Sequence, residues 1–184
     1  MELNRLNVVM GDITNFAGDA IVTAANSFLM GGGGVDGAIH NAAGPELLEA
    51  CKKLGGCQEG HSKITPGFDL KAKHVIHTVG PYWFGGKNNE PEALASCYQT
   101  SLAIALAHNI ETIAFPAISC GIYSFPIEEA TQIAINTTVD FIELNPLPNQ
   151  ITFICFEDEI HKSYVEMMNT LKCPVQGSNL RPAD

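Results

Sequence analysis

The stretch SFLMGGGGVDGAIHNAAG, residues 27–44, places four consecutive glycines directly before a predicted helix. Each glycine costs roughly 0.5 to 1 kcal/mol relative to alanine in regular structure, so this run indicates a backbone with positive φ or close approach of a ligand. The helix would turn an apolar face toward a core, made of Val35, Ala38, Ile39 and Ala42. Residues 31–34 and the helix start therefore predict an anion site of free backbone N–H groups at a positive helix end.

Short apolar segments rich in β-branched residues recur along the chain and predict strands buried on both faces. They span residues 6–10, 20–26, 74–80, 112–118 and 151–156. Between them, apolar side chains repeat every three to four positions, most clearly in residues 94–105, 127–141 and 160–171. Strands that alternate with helices predict an α/β fold, a three-layer α/β/α sandwich with a largely parallel sheet.

Length and composition narrow the class of protein. With 184 residues and 46% hydrophobic content, we expect one domain over residues 1–172 and a short, flexible polar tail over residues 173–184. The formal net charge of −10 argues against nucleic acid as a partner. No apolar run approaches the ~18 residues of a membrane span and no signal-peptide pattern is present, so we expect a cytoplasmic protein with reduced cysteines and no membrane contact.

A second turn of small residues is SCGIYS, residues 119–124, which precedes a helix predicted to open at Pro126. Two such loops at one crevice suit the diphosphate of a dinucleotide-like ligand. The alternative, that both loops are plain flexible connections, is disfavoured because four glycines in a row exceed what a turn needs. Asp36, in the first turn of the helix, would orient or deprotonate a water beside the bound group, or would only complement the helix dipole.

Ligands of α/β sheets bind beyond the carboxyl ends of the strands, so the residues that follow each strand are further candidates. Asp12 would accept a hydrogen bond from an adenine amino group or cap the next segment. Asn26 would bind a ribose hydroxyl or form a turn. Tyr123 and Phe156 would offer flat faces to a ribose and a base, although aromatic residues at strand ends more often lie in the core.

Several other classes of site are disfavoured. Gly32, Gly34 and Gly37 fit G-x-G-x-x-G, but the next candidate strand starts near residue 62 or 75, too late for a nicotinamide-dependent dehydrogenase. No phosphate loop with lysine and no metal-ligand spacing is present, so we expect neither cofactor nor metal. His77 is predicted to be a hydrogen-bonded core histidine, and the sequence identifies no base for Ser119 or Cys120 as a nucleophile.

Four segments carry a family resemblance. GDIT (residues 11–14), AANSFLMGGGGVDGAIHNAAG (24–44), HTVGPYW (77–83) and FPAISCGIYSFP (115–126) resemble the macrodomain family, in particular its MacroD-type hydrolase branch, which includes bacterial O-acetyl-ADP-ribose deacetylases. The similarity covers roughly residues 3–172. It implies a mixed six-stranded sheet and a crevice for ADP-ribose and its derivatives.

The resemblance also implies roles for individual residues. Asp12 would hold the adenine amino group and Ile13 would contact the adenine through its backbone, while Asn26 and Asp36 would be catalytic, the first on the distal ribose and the second in hydrolysis. Residues 33–36 and 119–124 would bind the diphosphate and the distal ribose. The predicted ligand-binding set is Asp12, Ile13, Asn26, Gly33, Gly34, Val35, Ser119, Cys120, Gly121, Ile122, Tyr123, Ser124 and Phe156. Thr23, Asn41 and Cys120 stand where such proteins often carry Asn, Arg and Thr.

The predicted function is therefore that of a metal-independent, ADP-ribose-binding hydrolase. Its substrates would be O-acyl-ADP-ribose, mono-ADP-ribosylated proteins, or both, with cleavage of the ester on the distal ribose. The alternative from another class is a non-catalytic ADP-ribose reader, which would share the binding loops.

Overall fold

The computed structural model describes residues 1–173, which form one mixed sheet with helices on both faces. The strands are β1 (Leu6–Met10), β2 (Ala20–Ala24), β3 (Ser62–Pro66), β4 (His74–Thr78), β5 (Thr112–Phe115) and β6 (Gln150–Cys155). The α-helices are α1 (Gly34–Ala43), α2 (Pro45–Leu54), α3 (Glu90–Ala107), α4 (Ile127–Leu144) and α5 (Asp158–Lys172). The strand order is β1-β6-β5-β2-β4-β3, and β3 alone is antiparallel to its neighbour. The predicted fold class is confirmed.

The sheet separates two hydrophobic cores, because successive side chains of a strand point to opposite faces. In β2, Ala20 and Val22 pack in the core that contains α3, α4 and α5. Ile21, between them, packs in the core that contains α1 and α2. The helices therefore form the two outer layers of the sandwich.

The prediction that every strand is buried on both faces is wrong for β1. In β1, Val9 is 42% exposed and Met10 is 43% exposed, because β1 is an edge strand and pairs with β6 only. Strand β3, at the opposite edge, starts at the earlier of the two positions considered for the next strand. Its half-buried pattern explains why its sequence carries no strong strand signal.

The predicted apolar face of α1 is also wrong in part. Ala38 and Ala42 are exposed, whereas Asp36, Ile39 and Ala43 are buried. The helix is rotated because Gly37 lies against the preceding loop: a Cβ there would be 2.3 Å from the carbonyl oxygen of Gly32. A carboxylate therefore enters the interior where the sequence pattern predicted alanine.

All six cysteines are unpaired in the part of the chain that the structure describes. Among residues 1–173, no helix combines the length and the apolar character that crossing a membrane requires. The predicted tail lies outside the described residues, apart from exposed Cys173 at the end of α5.

Candidate functional site

Four neighbouring strands bring the predicted site residues to one edge of the sheet. β1, β6, β5 and β2 are adjacent and parallel, so their carboxyl ends lie together. Asp12 follows β1, Phe156 follows β6, residues 119–124 follow β5, and residues 26–36 follow β2. The structure thus places both small-residue loops, Asp12 and Phe156 along one edge of the sheet, where the ligand crevice was predicted.

The end of the crevice at β1 and β6 carries Asp12 and Phe156. Met10 lies opposite Cys155, and the Gly11 N–H donates to the Cys155 carbonyl at 3.0 Å, so these two side chains follow adjacent strand ends. Asp12 Oδ1 accepts from the Thr14 backbone N–H at 2.9 Å and from the Thr14 hydroxyl at 2.7 Å. Asp12 thus caps a short 3-10 turn over Ile13–Asn15 with one oxygen, and its other oxygen makes no hydrogen bond to a described residue.

The side chains of Ile13 and Phe156 have opposite environments. Ile13 is 4% exposed and packs in the core with α1 and α2, which leaves only its backbone for contact with a ligand. Phe156 is 81% exposed, so the core alternative considered for this residue is wrong. A bare aromatic face beside Asp12 is an arrangement that can stack on a planar ring.

The glycine loop presents backbone N–H groups without side chains in front of them. Gly31 and Gly34 have φ values of 79° and 60°, and Gly33 precedes α1 without a side-chain cap. Consequently the N–H groups of Gly34, Val35 and Asp36 have no backbone acceptor among the described residues. This is the free helix start that the four glycines predict.

Asn26 holds the glycine loop in its shape. Its Nδ2 donates to the Gly31 carbonyl at 2.8 Å, and its Oδ1 accepts from the Phe28 N–H at 3.1 Å. The turn-forming role considered for Asn26 is therefore present. One N–H of the side-chain amide is left for a ligand, because an amide nitrogen carries two.

The second loop, residues 119–124, faces the first. Ser119 and Ser124 have φ values of 63° and 57°, and the N–H groups of Gly121, Ile122 and Tyr123 have no acceptor within the described chain. Ile122 is 76% exposed, and a Cβ on Gly33 would lie 4.0 Å from its Cδ1. Two sets of unpaired N–H groups therefore border one narrow gap.

The two nucleophile candidates in this loop are unsuited to attack. Burial raises the pKa of Cys120 to about 12, so the sulfur stays a thiol at neutral pH. Ser119 is 5% exposed and its Oγ, which has no hydrogen-bond partner among the described residues, lies against Gly80, where a Cβ would be 2.3 Å away. Neither side chain has a base in hydrogen-bond reach within residues 1–173.

Asp36 lies beneath the glycine loop, 3% exposed. Its Oδ1 accepts from the Thr23 hydroxyl at 2.8 Å, and its Oδ2 has no hydrogen-bond partner among the described residues. Burial raises the pKa of Asp36, while the Thr23 hydrogen bond and the His40 charge oppose that shift. Complementing the helix dipole would not require a buried carboxylate with an unpaired oxygen, so that alternative alone does not explain the position of Asp36.

Thr23, Asp36 and His40 form a buried polar group, and sequence analysis missed His40. Its Nε2 lies 3.8 Å from Asp36 Oδ1, and this buried nitrogen has no hydrogen-bond partner within the described chain. The two residues are four apart on α1, a spacing that puts side chains on one helix face. That spacing is a signal in the sequence, but it gains meaning only once Asp36 is known to point inward.

A second polar cluster, His40, Cys51 and His77, brings three possible metal ligands within 4.8 Å of one another. Cys51 Sγ lies 3.9 and 3.8 Å from the two ring nitrogens of His77, so neither nitrogen is directed at the sulfur, and His77 Nε2 is 2.9 Å from the Thr65 hydroxyl. Burial raises the pKa of Cys51 to about 11 and lowers that of His77 to about 4. A neutral thiol beside a neutral imidazole suits a packed core, and His77 is the hydrogen-bonded core histidine that was predicted.

The buried imidazole has a consequence for stability. Between pH 6.5 and about 4 the unfolded chain binds a proton at His77 that the folded chain does not, so the free energy of unfolding falls as pH falls, by up to about 3 kcal/mol. We expect urea unfolding of wild type and His77→Gln at pH 7, 6 and 5 to give stabilities that converge with acid. Exposed His108→Gln is the control, and equal slopes for wild type and His77→Gln would contradict the argument.

An aromatic wall borders the second loop and was not predicted. The Tyr82 ring stacks on Tyr123 with centroids 3.7 Å apart, and the backbone N–H of Trp83 donates to the Tyr123 carbonyl at 2.9 Å. Burial, with contributions from Tyr82 and the Asp36 charge, raises the pKa of Tyr123 to about 12, which keeps the phenol protonated.

A family model and several relatives match this chain. A model of the Macro domain family matches residues 22–134. An O-acetyl-ADP-ribose deacetylase of Salmonella newport is 52% identical over 169 residues, 90% of this chain and 94% of the relative. A macro domain-containing protein of Methanosarcina mazei is 51% identical over 173 residues, 93% of this chain and 92% of the relative.

Solved structures match at comparable coverage. The Oceanobacillus iheyensis macrodomain with ADP superposes with a TM-score of 0.87 at 39% identity, over 94% of this chain and 95% of that chain. The Trypanosoma brucei macrodomain in complex with ADP-ribose superposes with a TM-score of 0.84 at 39% identity, over 89% of this chain and 68% of that chain. Sequence motifs, sheet topology and these matches agree: the chain belongs to the Macro domain family.

Proposed function

We propose that this protein is an ADP-ribose-binding hydrolase that cleaves ester-linked groups from the distal ribose, acting on O-acetyl-ADP-ribose, on mono-ADP-ribosylated Asp or Glu of proteins, or on both. The activity of the Salmonella relatives, about half identical over nine-tenths of this chain, supports the reaction class. Macrodomain structures with ADP-ribose support the ligand.

The observation that carries the proposal is the pair of facing loops. Gly34, Val35 and Asp36 on one side, and Gly121, Ile122 and Tyr123 on the other, direct unpaired N–H groups at a gap next to Gly33. Backbone N–H groups and a helix start bind a diphosphate without any lysine, which fits a chain of net charge −10. Phe156 and Asp12 then meet the base at one end, and Asn26 and Asp36 meet the distal ribose at the other.

The proposed catalytic step uses Asp36 as general base and Asn26 as the group that positions the ribose. The unpaired Oδ2 of Asp36 accepts a proton from a water, whose oxygen adds to the ester carbonyl. The bond between the acyl carbon and the ribose oxygen then breaks, and the ribose oxygen takes the proton from Asp36, which gives a carboxylic acid and a free ribose hydroxyl and restores the carboxylate. The remaining N–H of Asn26 donates to a ribose hydroxyl, and no step requires a metal ion.

The test is turnover by the wild-type protein. Acetate release from O-acetyl-ADP-ribose and ADP-ribose release from a glutamate-linked mono-ADP-ribosylated protein are measured with and without EDTA. We expect turnover of at least one substrate at the same rate in both conditions, and the faster substrate identifies the preferred one. Loss of turnover in EDTA that zinc restores would contradict the metal-independent mechanism.

A non-catalytic reader is the second candidate, and one observation favours it. Asp36 is 3% exposed, and both amide heavy atoms of Asn26 are hydrogen-bonded to the glycine loop, so the two proposed catalytic side chains are less open to a substrate than the loop N–H groups that would bind the diphosphate. A reader would bind ADP-ribose in calorimetry and release neither acetate nor ADP-ribose. That result would overturn the hydrolase and leave the ligand unchanged.

A further inference from the structure

Glu90, the first residue of α3, is a buried carboxylate outside the site described above. It is 2% exposed, and its partners are backbone groups of one segment. Oε1 accepts from the Phe84 N–H at 2.8 Å and from the Gly86 N–H at 3.2 Å, while Oε2 accepts from the Asn88 N–H at 2.7 Å. An ionised carboxylate, which only accepts hydrogen bonds, is suited to hold three N–H groups at once.

The segment held by Glu90 is the aromatic loop, defined here as residues 80–89, which connects β4 to α3. Two of its contacts reach the second loop, residues 119–124, and a third reaches Phe125, which follows that loop. Tyr82 stacks on Tyr123, the Trp83 N–H donates to the Tyr123 carbonyl, and the Trp83 ring lies 4.7 Å from Phe125. Phe125 in turn donates its N–H to the Ser119 carbonyl at 2.9 Å, at the start of the same loop.

These contacts form a short chain from Glu90 to the N–H groups of residues 121–123. We propose that Glu90 is a positioning residue for the ligand crevice, which fixes the aromatic loop and through it the orientation of the second crevice loop. The inference rests on the proposed ADP-ribose site and extends it to a residue that touches no ligand. A carboxylate is needed because an amide offers one acceptor oxygen and adds a donor that would face an N–H group.

The test variant is Glu90→Gln, and the matched control is Glu92→Gln, an exposed glutamate in the same helix turn. Trp83 is the single tryptophan of the chain, so its fluorescence reports directly on the aromatic loop. We expect Glu90→Gln to shift the Trp83 emission with an unchanged far-UV CD spectrum. We also expect the Kd for ADP-ribose, measured by calorimetry, to rise about tenfold, or about 1.4 kcal/mol. Glu92→Gln should match wild type in all three measurements.

A double-mutant cycle separates positioning from a general loss of stability. Tyr82→Ala removes the ring that contacts Tyr123, so the combination with Glu90→Gln should weaken ADP-ribose binding by less than the product of the two single effects. In an active enzyme, KM should rise while kcat stays within about twofold. An equal Kd in wild type and Glu90→Gln, or fully multiplicative effects, would overturn the inference. Wild-type protein that fails to bind ADP-ribose would instead contradict the proposed function.

Discussion

Asp36→Asn is expected to lower turnover of the ester substrates by about 10²- to 10⁴-fold while the Kd for ADP-ribose changes by less than about threefold. Asparagine keeps an oxygen that accepts from the Thr23 hydroxyl, so the loop above it should keep its shape. What is lost is the ionised Oδ2, which has no partner within the described chain and is the proposed acceptor of the water proton. Single-turnover kinetics and calorimetry on the same preparation measure the two quantities.

The control for this variant is Glu46→Gln, an exposed acid in the first turn of α2. It removes the same charge at a similar position in a neighbouring helix and should leave both turnover and affinity unchanged. Because burial disfavours the charged form of Asp36, the asparagine variant should also unfold at a temperature no lower than wild type. A variant with more than a tenth of the wild-type rate would remove Asp36 from the mechanism.

The raised pKa of Asp36 predicts the acid side of the pH profile as well. The base must be ionised to accept a proton, so kcat/KM should fall with acid at a pH above the ordinary aspartate range near 3.9. The profile of wild-type protein tests this directly. A rate that stays constant down to pH 4 would contradict an essential role for this carboxylate.

Gly37→Ala is expected to raise the Kd for ADP-ribose by at least about tenfold. In the middle of a helix, alanine would ordinarily add about 0.8 to 1 kcal/mol of stability. Here the new Cβ would lie 2.3 Å from the Gly32 carbonyl oxygen, a backbone atom that can move only with the glycine loop. The displaced loop would carry the N–H groups of Gly34 and Val35 out of position, and calorimetry measures the loss.

Asn41→Ala is the matched control, since it lies on the exposed side of the same helix. It should bind ADP-ribose like wild type and gain a few tenths of a kcal/mol in urea unfolding from helix propensity. If Gly37→Ala instead gains stability and binds with wild-type affinity, the close approach of α1 to its own loop does not control the site.

The crevice loops were predictable because their signals are local. Residues 20–44 contain a buried strand pattern, four glycines after it and then a helix pattern. Ligands of α/β sheets bind beyond strand ends, so this order alone indicates a binding loop. The same holds for residues 112–126, where a buried strand, a small-residue turn and Pro126 follow one another. The strand order depends on distant pairings such as that of β1 with β6, whereas β3 pairs with the next strand along the chain but has only a half-buried pattern. The sequence indicated the mixed sheet only through family resemblance.

Which residues form the buried polar group was not predictable, because it depends on the rotation of α1 about its axis. Thr23, Asp36 and His40 meet because α1 is rotated by the contact of Gly37 with Gly32, and periodicity alone placed Ala38 and Ala42 inside. The contact of the aromatic loop with residue 123 was not predictable for the same reason. Tyr82 and Tyr123 are 41 positions apart, and they become neighbours because β4 and β5 both pair with β2, one on each side. Periodicity within one segment does not predict contacts between segments that are distant in the sequence.

The pairing of the first strand with the last has a consequence for synthesis on the ribosome. β1 has β6 as its sheet neighbour, so residues 6–10 wait without a partner until residues 150–155 have left the exit tunnel. Domains grow from the N-terminus at ~5 to 20 residues per second, which leaves β1 exposed for on the order of ten seconds. Asp12 and Phe156 therefore become neighbours only after β6 has been made, and the proposed base-binding end of the crevice does not exist in a nascent chain before then.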